Sequence, residues 1–344
     1  MNWSKTAAKP AMLVAVVMAV CSSLSVAHAV AIDWVTVGNP GNANDTTGYG
    51  AVGYGYQIGK YDVTIQQYTD FLNAAAKSDP YSLYDSRMAS NLNIAGISQT
   101  GSNGSYVYSV IGSGNRPITI VNWFDAARFA NWMQNGQGSG STETGAYTLV
   151  GGQTSGVAPA KNPGATFYIP TENEWYKAAY YSPLLNSGAG GYYAYASQSN
   201  TAPGNVVGST ANQANYRLSG SIYSVTQSSD YSTSQNYLTD VGAFTNSMSY
   251  YGTFDQGGNV YQWNDLDGTT TDETRGARGG SWGEHAWPMS SARRATNAPV
   301  NASDGVGFRL ASPVAPVPEP STYAMALAGL ACGGFSMWRQ RKRA

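Results

Sequence analysis

Regular hydrophobic periodicity is confined to three short segments of this 344-residue chain, and each segment opens with the same capping signature. A Thr or Asn stands three residues ahead of a Gln, Asp or Glu, the spacing at which the two side chains cap each other's backbone N–H groups at the start of a helix. The pairs are Thr64 with Gln67, Asn122 with Asp125, and Thr171 with Glu174. Apolar residues then recur every three or four positions, which places them on one buried helix face. The sequence therefore predicts only a few short helices.

The rest of the chain has the composition of short strands and loops. Residues 136–165 and 182–250 are rich in Gly, Ser, Asn and Tyr and show little periodicity. Stretches of this kind favour disorder, but disordered segments are poor in aromatic residues. Because the chain contains 25 tyrosines, we predict long ordered loops in an α+β domain. No repeat of fixed period is present in the sequence, which argues against a solenoid or a propeller.

The N-terminal residues predict an export signal. Lys5 and Lys9 precede the apolar run AMLVAVVMAV, and residues 27–29, Ala-His-Ala, have the form of a cleavage site. The apolar run is short for a membrane span, so a membrane anchor is the weaker alternative. We assign residues 1–29 to a signal peptide and residues 30–312 to the exported domain.

Residues 313–344 predict a sorting tail. The motif VPEPST at 317–322 precedes a short apolar stretch, YAMALAGLACGGFSMW, and then the basic end RQRKR. This order closely resembles the PEP-CTERM tail of Gram-negative bacteria that make exopolysaccharide. The resemblance implies a short transmembrane helix that anchors the chain in the inner membrane, an exosortase-type sorting protease as partner, and a final place in the cell envelope or extracellular matrix. A plain tail anchor is the alternative.

Charge and cysteine content narrow the classes of function. Of 19 basic and 20 acidic residues, six basic and one acidic lie in the two end segments, which leaves 13 and 19 between them and a net charge of −6. A nucleic-acid binder needs a basic surface, so we expect no nucleic-acid partner. Both cysteines, Cys21 and Cys332, lie in the end segments. A disulfide, a thiolate metal site and a cysteine nucleophile are therefore excluded from residues 30–312.

Six segments in a fixed order carry a family resemblance. They are YQIGKYDVTIQQYTDFLN, RPITIVNWFDAARFANWM, FYIPTENEWYKAAYY, DQGGNVYQWND, RGGSW and GVGFRLA. The series resembles the sulfatase-modifying-factor family, also called the formylglycine-generating-enzyme domain, over nearly all of residues 50–311. The resemblance implies a variant of the C-type lectin fold, with short helices and strands and long ordered loops. That expectation agrees with the periodicity.

The resemblance also implies a catalytic site that this chain has altered. Formylglycine-generating enzymes bind copper with two cysteines that follow the segment matching RGGSW. In this chain Glu284 stands where the first cysteine would be, and Met289 lies near the second. Copper(I) prefers soft sulfur ligands, so we expect no copper and no confident catalytic residue. Glu284 and His285 are the alternative, as a general acid–base pair. Neighbouring side chains on an extended chain point to opposite faces, which disfavours that pairing.

A calcium site is a further implication of the family resemblance. The segment FDQGGNVYQW matches a calcium loop in which Asp255 and Gln262 supply side chains and Gly258 and Val260 supply carbonyls. Oxygen ligands of this kind suit calcium, although the family has glutamate where this chain has Gln262. A turn without an ion is the alternative. A second family calcium site would use Asn215 and Asp230.

Tyrosines in the loop-rich region predict a binding surface. The segments GYYAYASQSN and SMSYYG place aromatic rings among small polar residues, a mixture that serves recognition in antibody paratopes. We assign this role to Tyr192, Tyr193, Tyr195, Tyr250 and Tyr251, with packing in the core as the alternative. Trp287, in the segment 278–294, is assigned to the same binding set.

Together these features favour an exported, non-catalytic domain for binding or structure at the cell envelope or in the exopolysaccharide matrix. Exopolysaccharide or a matrix protein is the expected partner. Two alternatives remain open. One is a formylglycine-generating-type oxidoreductase that acts on protein cysteine, and the other is a carbohydrate-binding, lectin-like module.

Overall fold

A computed structural model describes residues 29–314, and the predicted signal peptide up to residue 28 and the sorting tail from residue 315 lie outside that range. The helices are α1 Ile65–Ala75, α2 Arg87–Ser90, α3 Trp123–Gln134, α4 Glu172–Tyr180 and α5 Leu185–Gly188, with a 3₁₀ turn at Trp287–Met289. The strands are β1 Trp34–Val37, β2 Tyr56–Gly59, β3 Ile97–Thr100, β4 Val107–Val110, β5 Tyr181–Ser182, β6 Gly191–Tyr192, β7 Arg217–Leu218, β8 Ile222–Tyr223, β9 Tyr261–Asn264, β10 Arg275–Arg278, β11 Ala295–Asn297, β12 Val306–Gly307 and β13 Ala311–Pro313. The predicted α+β architecture of short elements joined by long loops is confirmed.

The three predicted helix starts are confirmed as reciprocal capping boxes. In α1 the Thr64 hydroxyl accepts from the Gln67 backbone N–H at 3.2 Å, and the Gln67 side chain accepts from the Thr64 N–H at 2.9 Å. The same exchange opens α3 and α4. Each box satisfies backbone donors that a helix start otherwise leaves free.

Two sheets organise the domain. β2 is the central strand of the first sheet, and β1 and β13 pair with it on either side, both antiparallel. The second sheet has the order β11-β10-β9-β12, and its only parallel pair among the described strands is β12 with β9. The first and last strands of the domain thus belong to one sheet.

The main core lies where α1 and α3 pack against the segment between β12 and β13. Phe129 of α3 is fully buried, and its ring centroid lies 5.4 Å from those of Phe71 and Phe308 and 5.6 Å from that of Trp132. Phe71 comes from α1, whereas Phe308 lies between β12 and β13. Phe129 therefore joins three distant parts of the sequence.

Buried arginine–carboxylate pairs cross-link the domain. The pairs are Arg128–Glu143 at 2.8 Å, Arg275–Asp265 at 3.1 Å, Arg278–Glu172 at 2.8 Å and Arg309–Asp62 at 3.2 Å. All four guanidinium groups are buried. A buried charge is tolerated only when it is paired and hydrogen-bonded, so each arginine fixes the segments that contact it.

The long loops are ordered by side chains that bond to backbone groups. Asn205, for example, donates to the carbonyls of Tyr216 and Ile222 at 3.2 and 2.8 Å. Such bonds replace the ladder of a sheet in a segment that has only two-residue strands. The prediction of ordered loops over 182–250 is confirmed. Within residues 29–314, no helix is both long enough and apolar enough to cross a membrane.

Candidate functional site

The segment 278–294 has a tightly bonded frame. Arg278 at the end of β10 is buried, and its Nε donates to Glu172 at 2.8 Å. The guanidinium of Arg294 contacts the same carboxylate at 2.8 Å. Gly280 has φ of 71°, and a Cβ there would lie 2.9 Å from Cγ of Met289. Glycine at this position therefore permits the close return of the chain that buries Met289.

The structure gives Glu284 and Met289 different surroundings. Met289 is buried in an apolar cluster with Ala214 and Tyr216. Glu284 is half-buried, and its carboxylate accepts from the Ser281 hydroxyl at 3.5 Å. A soft sulfur in one apolar cluster and a hard carboxylate elsewhere do not resemble a paired thiolate site for copper.

His285 and Trp287 lie at the surface. The ring of His285 contacts Arg217, with Nδ1 3.1 Å from its carbonyl oxygen. Trp287 is 61% exposed, and the guanidinium of Arg293 lies 4.3 Å from its ring centroid. His285 contacts Arg217 and Glu284 contacts Ser281, so the two adjacent side chains have different partners.

A cleft of about 340 Å³ lies beside Glu284. Tyr261, Ser281 and Asp304 line it with Glu284. Burial, followed by the nearby Glu284 carboxylate, raises the pKa of the Tyr261 hydroxyl. The hydroxyl therefore stays protonated at neutral pH, and a hydrogen bond to the Glu284 carboxylate comes from Ser281.

The two side chains of the predicted calcium segment, Asp255 and Gln262, make hydrogen bonds within the protein. The Gln262 oxygen accepts from Trp175 Nε1 at 2.6 Å and from Arg309 Nε at 2.7 Å, and its amide nitrogen donates to the Asp255 carbonyl at 2.7 Å. The Asp255 carboxylate accepts from the Gly242 N–H at 2.7 Å, and burial raises its pKa to about 6. The Gln262 oxygen thus accepts two hydrogen bonds, which use both lone pairs of an amide oxygen and leave none for a cation. Gln262, as arranged, does not fit a calcium shell.

We therefore expect calcium and a chelator to give the same melting temperature. A ligand that binds only the native state stabilises it by about 2.7 kcal/mol at a hundredfold excess over its dissociation constant, so binding would be visible as a shift. Differential scanning calorimetry of the wild type and of Asp255→Asn checks this. A rise in melting temperature with calcium that Asp255→Asn removes would contradict the expectation and support the sequence-based assignment.

The two residues of the second predicted calcium site differ in exposure. Asn215 is buried and donates to the Tyr237 carbonyl and to Asn259 Oδ1, at 2.8 and 2.9 Å. Asp230 is exposed. No hydrogen bond brings the two side chains together in the described part of the chain.

The predicted binding tyrosines divide into one exposed ring and four half-buried ones. Tyr250 is 36% exposed, and its ring packs edge-on against Tyr251. Tyr193 and Tyr195 are half-buried. Tyr192 is also half-buried, and its hydroxyl accepts from Asn42 Nδ2 at 2.6 Å and donates to the Ala43 carbonyl at 2.7 Å. The donor of the hydroxyl is used within the protein, so the half-buried ring is the main surface that Tyr192 offers to a ligand.

Tyr192 forms one wall of the cleft that we call the amide–tyrosine cleft, with a volume of about 640 Å³. Its lining consists of residues 39–46, Tyr181, Pro183, Asn186, residues 188–191 and Tyr192. Four asparagines and two tyrosines contribute amide groups and rings, and Asp45 is the one charged residue among the described residues that line it. Asn186 and Ser187, inside α5, have non-helical φ values of 53° and 59°. Left-handed backbone at non-glycine residues is uncommon and clusters at binding sites.

The asparagines of this cleft were missed by sequence reasoning. The signal in the sequence is the run GNPGNANDTT at 38–47, which is typical of a loop. Only the tertiary fold shows that this loop faces Tyr181 and Tyr192, more than 130 positions away.

The fold and the altered site define a class: an α+β domain of the formylglycine-generating type without that enzyme's cysteine pair. The chain belongs to the family of the sulfatase-modifying factor enzyme 1-like domain, whose sequence model matches residues 44–314. The C-type-lectin-like fold expected from the resemblance is thereby confirmed. Residues 316–342 match the PEP-CTERM protein-sorting motif, which marks the protein as exported through recognition by an exosortase.

Three solved structures are similar to this chain. CarF is 20% identical, with 83% of this chain and 99% of that chain covered and a TM-score of 0.49. Treponema denticola variable protein 1 is 18% identical, with 82% and 95% covered and a TM-score of 0.48. PvdO from Pseudomonas aeruginosa is 16% identical, with 82% and 92% covered and a TM-score of 0.41. No curated protein matches the chain in sequence.

Proposed function

We propose that this protein is an exported, non-catalytic binding domain that holds extracellular polysaccharide in the amide–tyrosine cleft. The observation that carries the proposal is the lining of that cleft. Asn39 and Asn44 each accept one internal hydrogen bond through Oδ1, and Asn186 donates one through Nδ2. The other polar atom of each amide can donate to or accept from the hydroxyl groups of a sugar, and a tyrosine ring offers an apolar face for the C–H side of a pyranose. The volume of about 640 Å³ suits a small ligand or a few sugar units.

The cleft is held in shape before any ligand arrives. Asn42 donates to the Gly50 carbonyl at 2.7 Å and accepts from the Val52 N–H at 3.3 Å, and it also bonds Tyr192. Lys177 Nζ donates to the Asn39 carbonyl at 2.8 Å. A rim fixed in this way loses little conformational freedom on binding, which favours affinity.

The proposal that the domain is non-catalytic rests on the residues that replace the two cysteines of formylglycine-generating enzymes. Glu284 and Met289 supply no thiolate, and no cysteine stands between Cys21 and Cys332.

We expect the purified protein neither to retain copper nor to convert the cysteine of a sulfatase-motif peptide to an aldehyde, measured by metal analysis and peptide mass spectrometry. Aldehyde formation above a no-enzyme control, lost in Glu284→Ala, would favour the oxidoreductase instead.

Polysaccharide binding is tested by filling the cleft. Ala189 lines the amide–tyrosine cleft and is exposed, so Ala189→Trp obstructs it without removing core packing. We expect this variant to lose most of its co-sedimentation with the producing cell's own extracellular polysaccharide. Val150 is 77% exposed and lines none of the clefts described above, so Val150→Trp is the matched control. Equal co-sedimentation of both variants and the wild type would mean that the cleft does not hold the polymer.

The sorting motif gives a further expected result. We propose that an exosortase-type protease cuts near Pro318, Glu319 and Pro320, so that the exported protein loses the segment from about residue 321 onward. Mass spectrometry of the extracellular form should show the shortened C-terminus, and Glu319→Ala should leave the protein uncut and cell-bound. An intact C-terminus on wild-type exported protein would contradict this step.

A further inference from the structure

A third cleft, of about 530 Å³, is acidic. Asp33, Asp62 and Asp240 all line it, and Lys, Arg and His are absent from the described residues of its lining. Tyr61 and Asn115 add a ring and an amide. We call this the acidic cleft. Its chemistry differs from that of the amide–tyrosine cleft because negative charge dominates it.

One carboxylate oxygen at the acidic cleft lacks a partner. Asp62 is only 2% exposed, and its Oδ1 accepts from Arg309 at 3.2 Å. Its Oδ2 is buried and has no hydrogen-bond partner in the described part of the protein. An unsatisfied buried acceptor costs free energy, so a donor that reaches this oxygen gains more than it would at the surface.

The two basic side chains next to the acidic cleft, Arg309 and Lys60, already have partners within the protein. Arg309 donates to the carbonyls of Gly59 and Phe254, both at 2.8 Å, as well as to Gln262 and Asp62. Lys60 Nζ lies over the rings of Tyr61 and Phe254, at 5.2 and 5.5 Å from their centroids. At the rim, Asp240 accepts from the Ser113 hydroxyl at 2.5 Å. Asp33 is exposed and has no side-chain partner within residues 29–314. The cleft thus retains negative charge.

The spacing of the acids favours an organic cation over a metal ion. Among the described residues, no group of three or more His, Cys, Asp or Glu side chains is close enough to hold a metal. A wide cleft with carboxylates at its floor and rim, together with a hydroxyl and amides, suits an ammonium group, which needs acceptors on several sides.

We propose that the acidic cleft binds the primary ammonium group of an unacetylated amino sugar. This inference rests on the proposed function, because it takes the ligand to be a sugar polymer, and it names the chemical class of that polymer. The ammonium donates to Asp62 at the floor of the cleft, and Asp33 and Asp240 supply further negative charge at the rim.

Residues of the acidic cleft and of the amide–tyrosine cleft stand just before and just after strand β1. Asp33 precedes β1 and Asn39 follows it, six positions later along the chain. An extended backbone advances at most about 3.6 Å per residue, so these two Cα atoms lie no more than roughly 22 Å apart. An oligosaccharide of a few units is long enough to cover that distance, and the acidic cleft would select chains that carry free amino groups.

Calorimetric titration of the full-length protein tests this inference with two matched sugars, the glucosamine tetramer and the N-acetylglucosamine tetramer. We expect the amine tetramer to bind roughly tenfold or more tightly than the acetylated one at low salt, the scale of one charge-assisted hydrogen bond. Asp62→Asn keeps the bond to Arg309 and should remove that preference. Asp240→Asn, at the exposed rim, should weaken amine binding roughly threefold. Asp230→Asn, an exposed carboxylate outside the cleft, is the control.

Equal affinity for the two tetramers, or a preference that survives Asp62→Asn, would overturn the inference. Cadaverine binding as tightly as the amine tetramer would show that a free amine, not a sugar, is the ligand. Calcium binding that Asp62→Asn abolishes would make the cleft a metal site. If the amine preference and its Asp62 dependence persist while Ala189→Trp leaves both affinities unchanged, the proposed function at the amide–tyrosine cleft fails and the acidic cleft stands.

Discussion

Arg309→Met is expected to destabilise the domain by about 3–5 kcal/mol, because it removes one partner of a fully buried ion pair. The guanidinium satisfies two backbone carbonyls, the Gln262 oxygen and Asp62. Burial raises the pKa of Asp62, and the Arg309 charge opposes that rise. Without the arginine, Asp62 takes up a proton at neutral pH, and the other acceptors remain buried without donors. Urea unfolding should show a lower midpoint with an unchanged m-value.

The exposed pair Arg87–Asp85 is the matched control for Arg309→Met. It has a comparable contact, 2.8 Å, but its side chains are 50% and 33% exposed. Arg87→Met should cost no more than about 1 kcal/mol, because water and salt screen a surface pair. The double variant Arg309→Met/Asp62→Asn should recover part of the loss. A cost for Arg309→Met as small as that for Arg87→Met would mean that the buried pair contributes nothing to the fold.

Phe129→Ala should have an effect of similar size for a different reason. Deleting a buried phenylalanine loses its transfer free energy and leaves a cavity, together about 3–5 kcal/mol. Phe129 contacts aromatic rings from α1, from α3 and from the segment before β13. The surrounding rings belong to separate elements, so they cannot close the cavity together.

Thermal unfolding provides the measurement for Phe129→Ala. We expect the melting temperature to fall by roughly 6–20 °C. Leu184→Ala is the control, since Leu184 is 71% exposed and should shift the melting temperature by little. Equal shifts for the two variants would show that Phe129 does not anchor the core.

The local part of the fold was predictable because its determinants lie within a few residues of each other. Thr64 and Gln67 form the start of α1 through contacts three positions apart. The tyrosine-rich loops were predictable as ordered because their rings need burial. Nothing in the neighbourhood of Asp62, by contrast, shows that its partner lies 247 positions away. Such pairings follow from topology, which short-range patterns do not determine.

Of the candidate site, only the replacement of the family's two cysteines was predictable from the sequence. The identity of residues 284 and 289 was enough to argue against a copper thiolate pair. Trp287 was placed in the binding set, and it is indeed exposed, but with Arg293 over its ring. The clefts could not be predicted from the sequence, because each is lined by segments that are distant in the chain. Gln262 shows the limit most clearly: its type suits a calcium loop, but its neighbours Trp175 and Arg309 use its oxygen.

The pairing of the first and last strands on β2 has a consequence for the timing of export. A chain threaded through a membrane channel emerges with its N-terminal end first, and domains fold as units once their sequence is available. Here β2 receives its second neighbour only from β13, and the Val63 N–H receives its acceptor only from Phe308, at 2.9 Å. Residues 306–313 therefore complete the core last. Until they emerge the domain lacks these contacts, so we expect it to complete its folding only after nearly all of residues 29–314 have passed.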